Sequence, residues 1–355
     1  MLRTSSDLSS SHLFFPSFVV STQKVPFPGT DWIDQLAEYG HSITIDGTQY
    51  SSAYDALLNG TPLENPCRNF NAWVNSWLFG DALVAKLLSF TNYSVEWTHY
   101  ILCYLRNFVG AMVVYYGTAG ILHYFCYIHK QSIKIFDQQD RPRPSTSIMW
   151  HQIQLSQASM TLYVLLPVVD EWLVENQITK AYHTVHEIGG WTNHLLLLGL
   201  YFSLVELGIY WMHRTLHTNK WLYKHVHLKH HYYNAPETLT PWASIAFHPL
   251  DGILQASPYV MVMLFVPCHY PTHFGLLFFT ALWATYIHDA MDFNFGSALS
   301  EIIMGSKYHT VHHTHYIYNY GQVFTICDRI FGTLRVPQHP TGFNGKKRTT
   351  QKKVA

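Results

Sequence analysis

Twenty-four histidines are the feature of this 355-residue chain that points most directly to chemistry. They outnumber the lysines and arginines, which total 22. Three short groups repeat a helical spacing: "HRTLH" begins at His213, "HLKHH" at His227 and "HTVHH" at His309. Residues three and four apart lie on the same side of an α-helix, so each group is predicted to turn its imidazoles onto one helical face. Because imidazole is a common ligand of transition metals, the recurring spacing predicts a metal centre.

The number of candidate ligands favours two metal ions. A fourth segment, "HDAMD", adds His288 and, with less support, Asp292. The histidines predicted as ligands are His213, His217, His227, His230, His231, His288, His309, His312 and His313. One zinc ion takes about four ligands, and a mononuclear iron oxygenase takes two histidines and one carboxylate. We therefore predict two ions side by side.

Composition indicates a membrane protein. Charged residues make up only 12% of the chain, whereas aromatic residues reach 16%. The formal net charge is zero, which gives no reason to expect a nucleic acid as partner. The five cysteines are scattered and form no CxxC pair, so neither a disulfide framework nor a thiolate zinc site is expected.

The apolar segments predict an all-α polytopic membrane protein with about four to five transmembrane helices. Segments at about 101–125 and 194–212 have the length of a bilayer core, and one near 155–174 is weaker because it ends in two acids. Two shorter runs at about 253–287 predict a membrane hairpin, which leaves and returns on one side. All the histidine groups would then meet in a cytosolic cap that holds the two metal ions.

Two charged residues in these segments draw attention. Glu206 lies two helical turns before His213 on the same predicted face, and a carboxylate at membrane depth is a candidate for function. Arg106 stands near the start of the first segment, where its side chain is expected to reach towards the membrane surface.

The chain divides into four predicted regions. They are an N-terminal region 1–95 of unknown role, membrane helices and loops at 96–200, a histidine-rich catalytic domain at 201–337, and a basic tail at 338–355. The tail ends Lys352-Lys353-Val354-Ala355, which resembles the dilysine retrieval signal of endoplasmic-reticulum membrane proteins. A solvated basic end would have the same composition.

The sequence motifs around the histidines resemble those of the fatty acid hydroxylase/sterol desaturase superfamily, and within it those of the sterol C5-desaturases (lathosterol oxidases). The resemblance is carried by "ELGIYWMHRTLH", "LYKHVHLKHHYYNAPETLTPWASIAFHPLDGILQ" and "YHTVHHTHYIYNYGQVFTICDRIFGTLRVP". It covers 200–337 strongly, 95–200 in outline and 1–95 not at all. It implies that the nine histidines bind two non-haem iron ions. Asp292 stands where related enzymes often have histidine, so its role as a ligand stays open.

The sequence motifs that match the family include other candidate site residues. "HPLDG" contains His248 and Asp251, and "NYGQ" contains Asn319. Together with Glu206, these three residues are expected to shape the site or its substrate side rather than to bind metal.

The resemblance also implies a reaction of sterol biosynthesis. A Δ7-sterol would enter from the bilayer and lose hydrogens at C5 and C6, with O2 as co-substrate. The electrons would come from cytochrome b5, which NADH reduces through a flavoprotein reductase. Because these C–H bonds have no acidic proton, acid–base groups alone cannot break them, and zinc has no accessible redox state. The expected location is the endoplasmic-reticulum membrane, with the active site and C-terminus cytosolic, and Lys220, Lys224 and Lys229 are candidates for docking an acidic partner.

Several other functions share parts of this pattern. C4-methyl sterol oxidases and fatty acid hydroxylases have the same histidine spacing, and a sterol-binding relative without catalysis would keep much of it. A histidine-rich metal transporter is a more remote alternative, because transporters place ligands at mid-membrane depth. Here the histidine groups follow the apolar segments instead of lying within them.

Overall fold

The computed structural model of the chain describes residues 21–24, 41–45, 47–50, 55, 65–92, 94–129, 144–235, 238–289 and 299–337. The chain divides into two compact units, Met1–Cys103 and Tyr104–Ala355. Asp292 and the tail 338–355 lie outside the described residues. Elsewhere most of the described chain is helical, as predicted.

The first unit contains a small antiparallel sheet that was not predicted. Its strands, in the order β1-β2-β3, are β1 (Ser21–Lys24), β2 (His41–Ile45) and β3 (Thr48–Tyr50). Ile45 pairs with Thr48, and Gly47 in the connection has a φ of 80°, a conformation that glycine adopts without steric cost.

Helix α1 (Pro66–Phe90) of the first unit has, before Gly80, the reverse polarity of a water-soluble helix. Arg68 and Asn75 are buried, whereas Phe70, Trp73 and Trp77 are exposed. A helix in water buries its apolar face and exposes its polar one. The helix is interrupted at Gly80, whose φ of 70° departs from helical geometry.

The remaining helices begin near the end of the first unit. They are α2 (Val95–His123), α3 (Thr146–Tyr163), α4 (Leu165–Glu175), α5 (Trp191–Thr218), α6 (Lys220–Leu222), α7 (Pro249–Met263), α8 (Tyr270–Ile287), α9 (Ser306–His315) and α10 (Ile326–Ile330). Short π turns cover Tyr124–Ile128 and Tyr223–His227, and 3₁₀ turns cover Val185–Ile188, His230–Tyr232, Pro241–Ala243 and Leu299–Glu301. Two-residue strands β4 (Ala181–Tyr182) and β5 (Cys268–His269) pair in parallel.

Helices α5 and α7 pack closely because Gly208 has no side chain. A Cβ atom at Gly208 would lie 2.8 Å from the Cβ of Pro258 on α7. This close approach brings the helix that carries His213 and His217 next to the one that follows His248.

Within the described residues, two helical stretches are long and apolar enough to cross a membrane, Val95–Ile128 and Trp191–Thr218. They coincide with the segments predicted at about 101–125 and 194–212. The weaker segment near 155–174 is divided between α3 and α4, and helices α7 and α8 occupy the stretch of the predicted membrane hairpin, which stays a prediction. The total of four to five membrane helices stays a prediction.

The acids that end the weaker segment are buried and have basic partners. Asp170 Oδ2 lies 2.8 Å from Nε2 of His273, and Glu171 Oε1 lies 2.5 Å from Nη2 of Arg106. Arg106 is therefore paired with a buried acid, and its reach towards the membrane surface stays a prediction. A buried carboxylate is stabilised by a close guanidinium, and this attraction holds the side chain inside.

Candidate metal centre

The nine histidines predicted as ligands converge in two adjacent clusters. The five-histidine cluster consists of His213, His217, His227, His231 and His312, and the four-histidine cluster of His230, His288, His309 and His313. Within each cluster the candidate ligand nitrogens all lie within 4.8 Å of one another. Every ring is buried except that of His217, which is half-buried. The clusters adjoin, since the ring centroids of His231 and His313 are 4.6 Å apart.

Different elements deliver these side chains. The last two turns of α5 carry His213 and His217, and the π turn Tyr223–His227 then turns the chain back. His288 ends α8, and α9 carries the third group. A π turn is rare and is frequent at functional sites, because its extra residue redirects the side chains that follow.

The shared helical face predicted for each "HXXHH" group does not decide which cluster a ring joins. His227 and His231 join the five-histidine cluster while His230 joins the other, and His309 and His313 join the four-histidine cluster while His312 joins the first. On a helix, residues four apart differ by about 40° in direction, but neighbouring residues differ by about 100°. The i and i+4 rings therefore stay together, and the i+3 ring diverges. The second group, moreover, is not α-helical, since it runs from a π turn into a 3₁₀ turn.

The Nε2 atoms meet at the centre of each cluster. In the five-histidine cluster, Nε2 of His217 lies 2.9 Å from that of His227, 3.1 Å from that of His231 and 3.1 Å from that of His312.

The same distances recur in the four-histidine cluster. Nε2 of His288 lies 3.1 Å from that of His230 and 3.0 Å from that of His309, which is 3.1 Å from that of His313.

Four of the rings have an acceptor behind them that determines where their proton sits. Nδ1 of His227 donates to Asp251 Oδ2 (2.8 Å), and Nδ1 of His213 donates to the Tyr320 carbonyl (3.0 Å). Nδ1 of His312 donates to the Tyr318 carbonyl (2.8 Å), and Nδ1 of His288 donates to the Ala284 carbonyl (2.6 Å). Because these oxygens only accept, the proton of each neutral ring is on Nδ1, and Nε2 carries a lone pair.

These lone pairs make the clusters fit a metal ion. Nε2 of His217 faces the lone pairs of both His227 and His312, and it has at most one proton to donate. At least one pair of lone pairs would otherwise be left in contact. A cation bound between them removes this repulsion, and separations near 3 Å match adjacent ligands on a metal with bonds of about 2.0–2.1 Å to nitrogen. Neutral imidazoles suit iron, zinc and copper.

Burial keeps the rings outside the apolar helices neutral. It lowers the pKa of His230, His231, His309, His312 and His313 well below the ordinary value of 6.5, and the neighbouring histidines lower it further. Nitrogen must be unprotonated to bind a metal, so the site is prepared for one at neutral pH.

The other predicted site residues differ in what they contact. Asp251 bonds the candidate ligand His227 directly, and its second oxygen accepts from Gln255 Nε2 at 2.7 Å. His248 instead caps α7, where its Nδ1 accepts from the backbone N–H of Leu250 at 3.2 Å. An N-terminal cap is a local role, and it explains why this histidine precedes the helix.

Glu206 and Asn319 act on backbone rather than on the rings. Oε2 of Glu206 accepts the N–H groups of Val323 and Phe324, each at 3.1 Å. Nδ2 of Asn319 donates to the Tyr308 carbonyl at 3.0 Å. Asp292 lies outside the residues that the structure describes. The carbonyls of Tyr318 and Tyr320 were not predicted, because a backbone oxygen leaves no mark in the residue types.

Comparisons with known proteins agree with this geometry. The model of the family described as "Fatty acid hydroxylase" matches residues 198–333. A Delta(7)-sterol-C5(6)-desaturase of Nicotiana tabacum is 41% identical over 239 residues, which are 67% of this chain and 85% of that protein. A putative Delta(7)-sterol-C5(6)-desaturase 2 of Arabidopsis thaliana is 39% identical over 264 residues, 74% of this chain and 91% of that one.

An animal relative covers nearly the same share. A lathosterol oxidase of Rattus norvegicus is 35% identical over 240 residues, 67% of this chain and 75% of that protein. No solved structure matches the chain significantly. The histidine motifs and these relatives together show that the chain belongs to the sterol C5-desaturase (lathosterol oxidase) family of the fatty acid hydroxylase/sterol desaturase superfamily.

Proposed function

We propose that this chain is a membrane-bound sterol C5-desaturase, which introduces a C5(6) double bond into a Δ7-sterol. The observation that carries the proposal is the pair of adjacent clusters, in which nine histidines turn their nitrogens inward. The relatives named for C5(6) desaturation and lathosterol oxidation supply the choice of substrate.

The reaction needs a redox metal. The hydrogens at C5 and C6 are not acidic, so a base cannot remove them. Iron ions held by the histidines of the two clusters would supply the activation of O2, which zinc, without an accessible redox state, would not. In balance, one O2 takes two hydrogens from the sterol and two electrons with two protons from a donor, and it leaves as two waters.

The contribution of the protein itself is placement and exclusion of water. The carboxylate of Asp251 holds the ring of His227 with Nε2 inward, and backbone carbonyls hold those of His213, His288 and His312 in the same way. Such outer contacts orient ligands and raise their basicity. The burial of eight of the nine rings keeps solvent away from the reacting centre.

We assign the electrons to cytochrome b5, reduced by NADH through a separate reductase. The chain has no GxGxxG run of its own for a nucleotide cofactor. Lys220 and Lys224 are exposed before His227 and Lys229 is exposed just after it, where an acidic partner would meet them.

The location that we propose is the endoplasmic-reticulum membrane, with several crossings and the clusters on the cytosolic side. The two apolar helical stretches and the exposed aromatic face of α1 support a lipid environment.

Sterol profiling in cells that lack their own C5-desaturase tests the proposal. The wild-type chain is expected to convert Δ7-sterols to Δ5,7-sterols, and His230→Ala is expected not to. The matched control is His225→Ala in the same "HVHLKHH" motif. The His225 ring is exposed and belongs to neither cluster, and its centroid lies 5.2 Å from that of the Trp221 ring. We expect His225→Ala to keep full conversion.

Two results would contradict the assignment. Unchanged Δ7-sterols, with the protein in the membrane and loaded with iron, would exclude C5 desaturation and direct the test to C4-methyl sterols or fatty acyl chains. Full conversion by His230→Ala would exclude the four-histidine cluster from the chemistry.

A further inference from the structure

Residues 318–324, here called the carbonyl loop, lie behind the five-histidine cluster. The Tyr320 carbonyl accepts from Nδ1 of His213 on α5 at 3.0 Å, and the Tyr318 carbonyl accepts from Nδ1 of His312 on α9 at 2.8 Å. One short segment therefore orients ligands from two different helices. Among the described residues, no ring of the four-histidine cluster bonds to this loop.

The carboxylate of Asp328 holds the carbonyl loop from its other side. Its Oδ1 accepts the N–H of Tyr320 at 2.9 Å, and its Oδ2 accepts the N–H of Gly321 at 2.8 Å. The Thr333 hydroxyl donates to the same carboxylate at 2.7 Å. Asp328 is fully buried. Tyr320 is thus bonded at both ends of its backbone, at the N–H by Asp328 and at the carbonyl by the ligand His213.

The loop has little freedom to adopt another shape. Asn319 has a φ of 58°, which asparagine tolerates better than most residues. A Cβ atom at Gly321 would lie 2.4 Å from the Phe324 carbonyl oxygen, so no larger residue fits. Glu206 accepts two further N–H groups at the end of the loop. A movement of Asp328 therefore has to displace the carbonyls that face the ligands.

We propose that Asp328 is a positioning residue of the metal centre. By holding the carbonyl loop it keeps His213 and His312 turned with Nε2 towards the five-histidine cluster, and its loss weakens metal retention there while the four-histidine cluster keeps its metal. The inference deepens the proposed function and rests on it, since it requires that both clusters bind metal.

The test measures metal release from the full-length protein in detergent. The protein is loaded with Co²⁺, and release to an excess of chelator is followed by the visible absorption of the bound ion. His217→Ala and His309→Ala, each lacking a ligand of one cluster, identify which phase belongs to which site. We expect Asp328→Asn to release metal from the five-histidine cluster about 10- to 100-fold faster, the range found for loss of a partner behind a ligand. The other phase is expected to be unchanged.

Glu187→Gln is the matched control. Glu187 also holds backbone with its carboxylate, since Oε1 accepts the N–H groups of His183 at 3.1 Å and Thr184 at 2.7 Å. It bonds no ring of either cluster, so both release phases are expected to match the wild type. The control separates loss of a backbone contact in general from loss of this one.

The outcomes decide between the inference and the proposed function. Wild-type release rates from Asp328→Asn, or equal acceleration from both clusters, would overturn the positioning role. If Asp328→Asn does not fold, Thr333→Val decides, because it removes the hydroxyl that donates to the carboxylate. Tyr210→Phe is its control, since it removes the other bond of that hydroxyl. Several-fold faster release from the five-histidine cluster alone supports the role, and an unchanged rate overturns it. Failure of the folded wild type to take up Co²⁺ would overturn the metal function as well.

Discussion

The five-histidine and four-histidine clusters use the same residue type at the same spacing, yet they are held differently. In the first cluster, Asp251 and the carbonyls of Tyr318 and Tyr320 fix three rings from outside their own helices. In the second, the ring of His288 bonds to a carbonyl of its own helix. Nδ1 of His230 and of His309 is buried and makes no hydrogen bond in the part of the chain that the structure describes, and in the first cluster the same holds for His231.

The difference teaches that spacing gathers the ligands but does not make them equally rigid. A ring with acceptors behind it has one orientation and one tautomer, whereas a ring held only by packing keeps some freedom. We therefore expect the five-histidine cluster to retain its metal more tightly. The four-histidine cluster, with one ligand fewer and fewer outside contacts, is expected to adjust more readily when substrate or O2 arrives.

The largest effect is expected from acid, which acts on both clusters together. Burial lowers the pKa of the rings at 230, 231, 309, 312 and 313, so the unfolded chain takes up protons below pH 6.5 that the folded chain does not. Stability is thus fully present above pH 6.5 and is lost as pH falls, by up to about 1.4 kcal/mol per pH unit for each histidine.

Thermal unfolding of the metal-free protein in detergent, at several values between pH 7.5 and pH 5, measures this loss. The metal-loaded protein is expected to resist acid until the ion leaves, because bound metal occupies the lone pairs that would take protons. Equal midpoints across the range would contradict the burial of neutral rings.

Removal of one ligand is expected to affect one cluster. His217→Ala and His309→Ala should each lower bound iron from two ions per chain to about one, and should lower Δ5,7-sterol production by more than about 100-fold, the upper range for loss of an outer partner. Elemental analysis and sterol profiling provide the measurements. Loss of both ions from either variant would show that the clusters are one unit.

A smaller effect is expected when a ligand stays but loses its support. Asp251→Asn keeps the volume and removes the charge that faces Nδ1 of His227. Metal affinity of the five-histidine cluster should fall about 10- to 100-fold, as for other partners of this kind. Chelator competition measures it, and an equal fall at the four-histidine cluster would refute the separation of the two sites.

The smallest effect is expected at His248, whose only described bond is to the backbone of α7. His248→Ala should lower the free energy of unfolding by about 1 kcal/mol, the usual cost of a lost helix cap. Bound iron should remain at the wild-type level. A loss of metal would contradict this and would support the sequence-based expectation that His248 helps to shape the site.

The elements that bring the ligands together were largely predictable. The hairpin was expected at about 253–287, and α7 and α8 occupy that stretch. The signal is strong because a long apolar run and a polar turn are local properties. Helix α1 escaped prediction because its apolar residues do not form a continuous run: they recur at helical spacing among polar residues that face inward.

The individual contacts were less predictable when they join distant parts of the chain. Arg106 and Glu171 are 65 residues apart, and nothing in either neighbourhood indicates the other. Asp328 is part of the motif "CDRIFGTLRVP", which matches the family, yet only the fold shows that its carboxylate accepts the backbone N–H of Tyr320. Such pairs depend on how helices pack, which residue types alone do not specify.

By itself, the sequence determined which residue type gathers at the candidate site and which nine histidines belong to it. It did so because helical spacing is a local rule, and because nine imidazoles are too many for one ion. The tertiary structure alone decided which ring belongs to which cluster and what stands behind it. Neighbouring residues diverge by about 100° on a helix, so the partition depends on where α5, α8 and α9 lie around the centre. The carbonyls of Tyr318 and Tyr320 are present in any sequence, and only the folded loop aims them at His312 and His213.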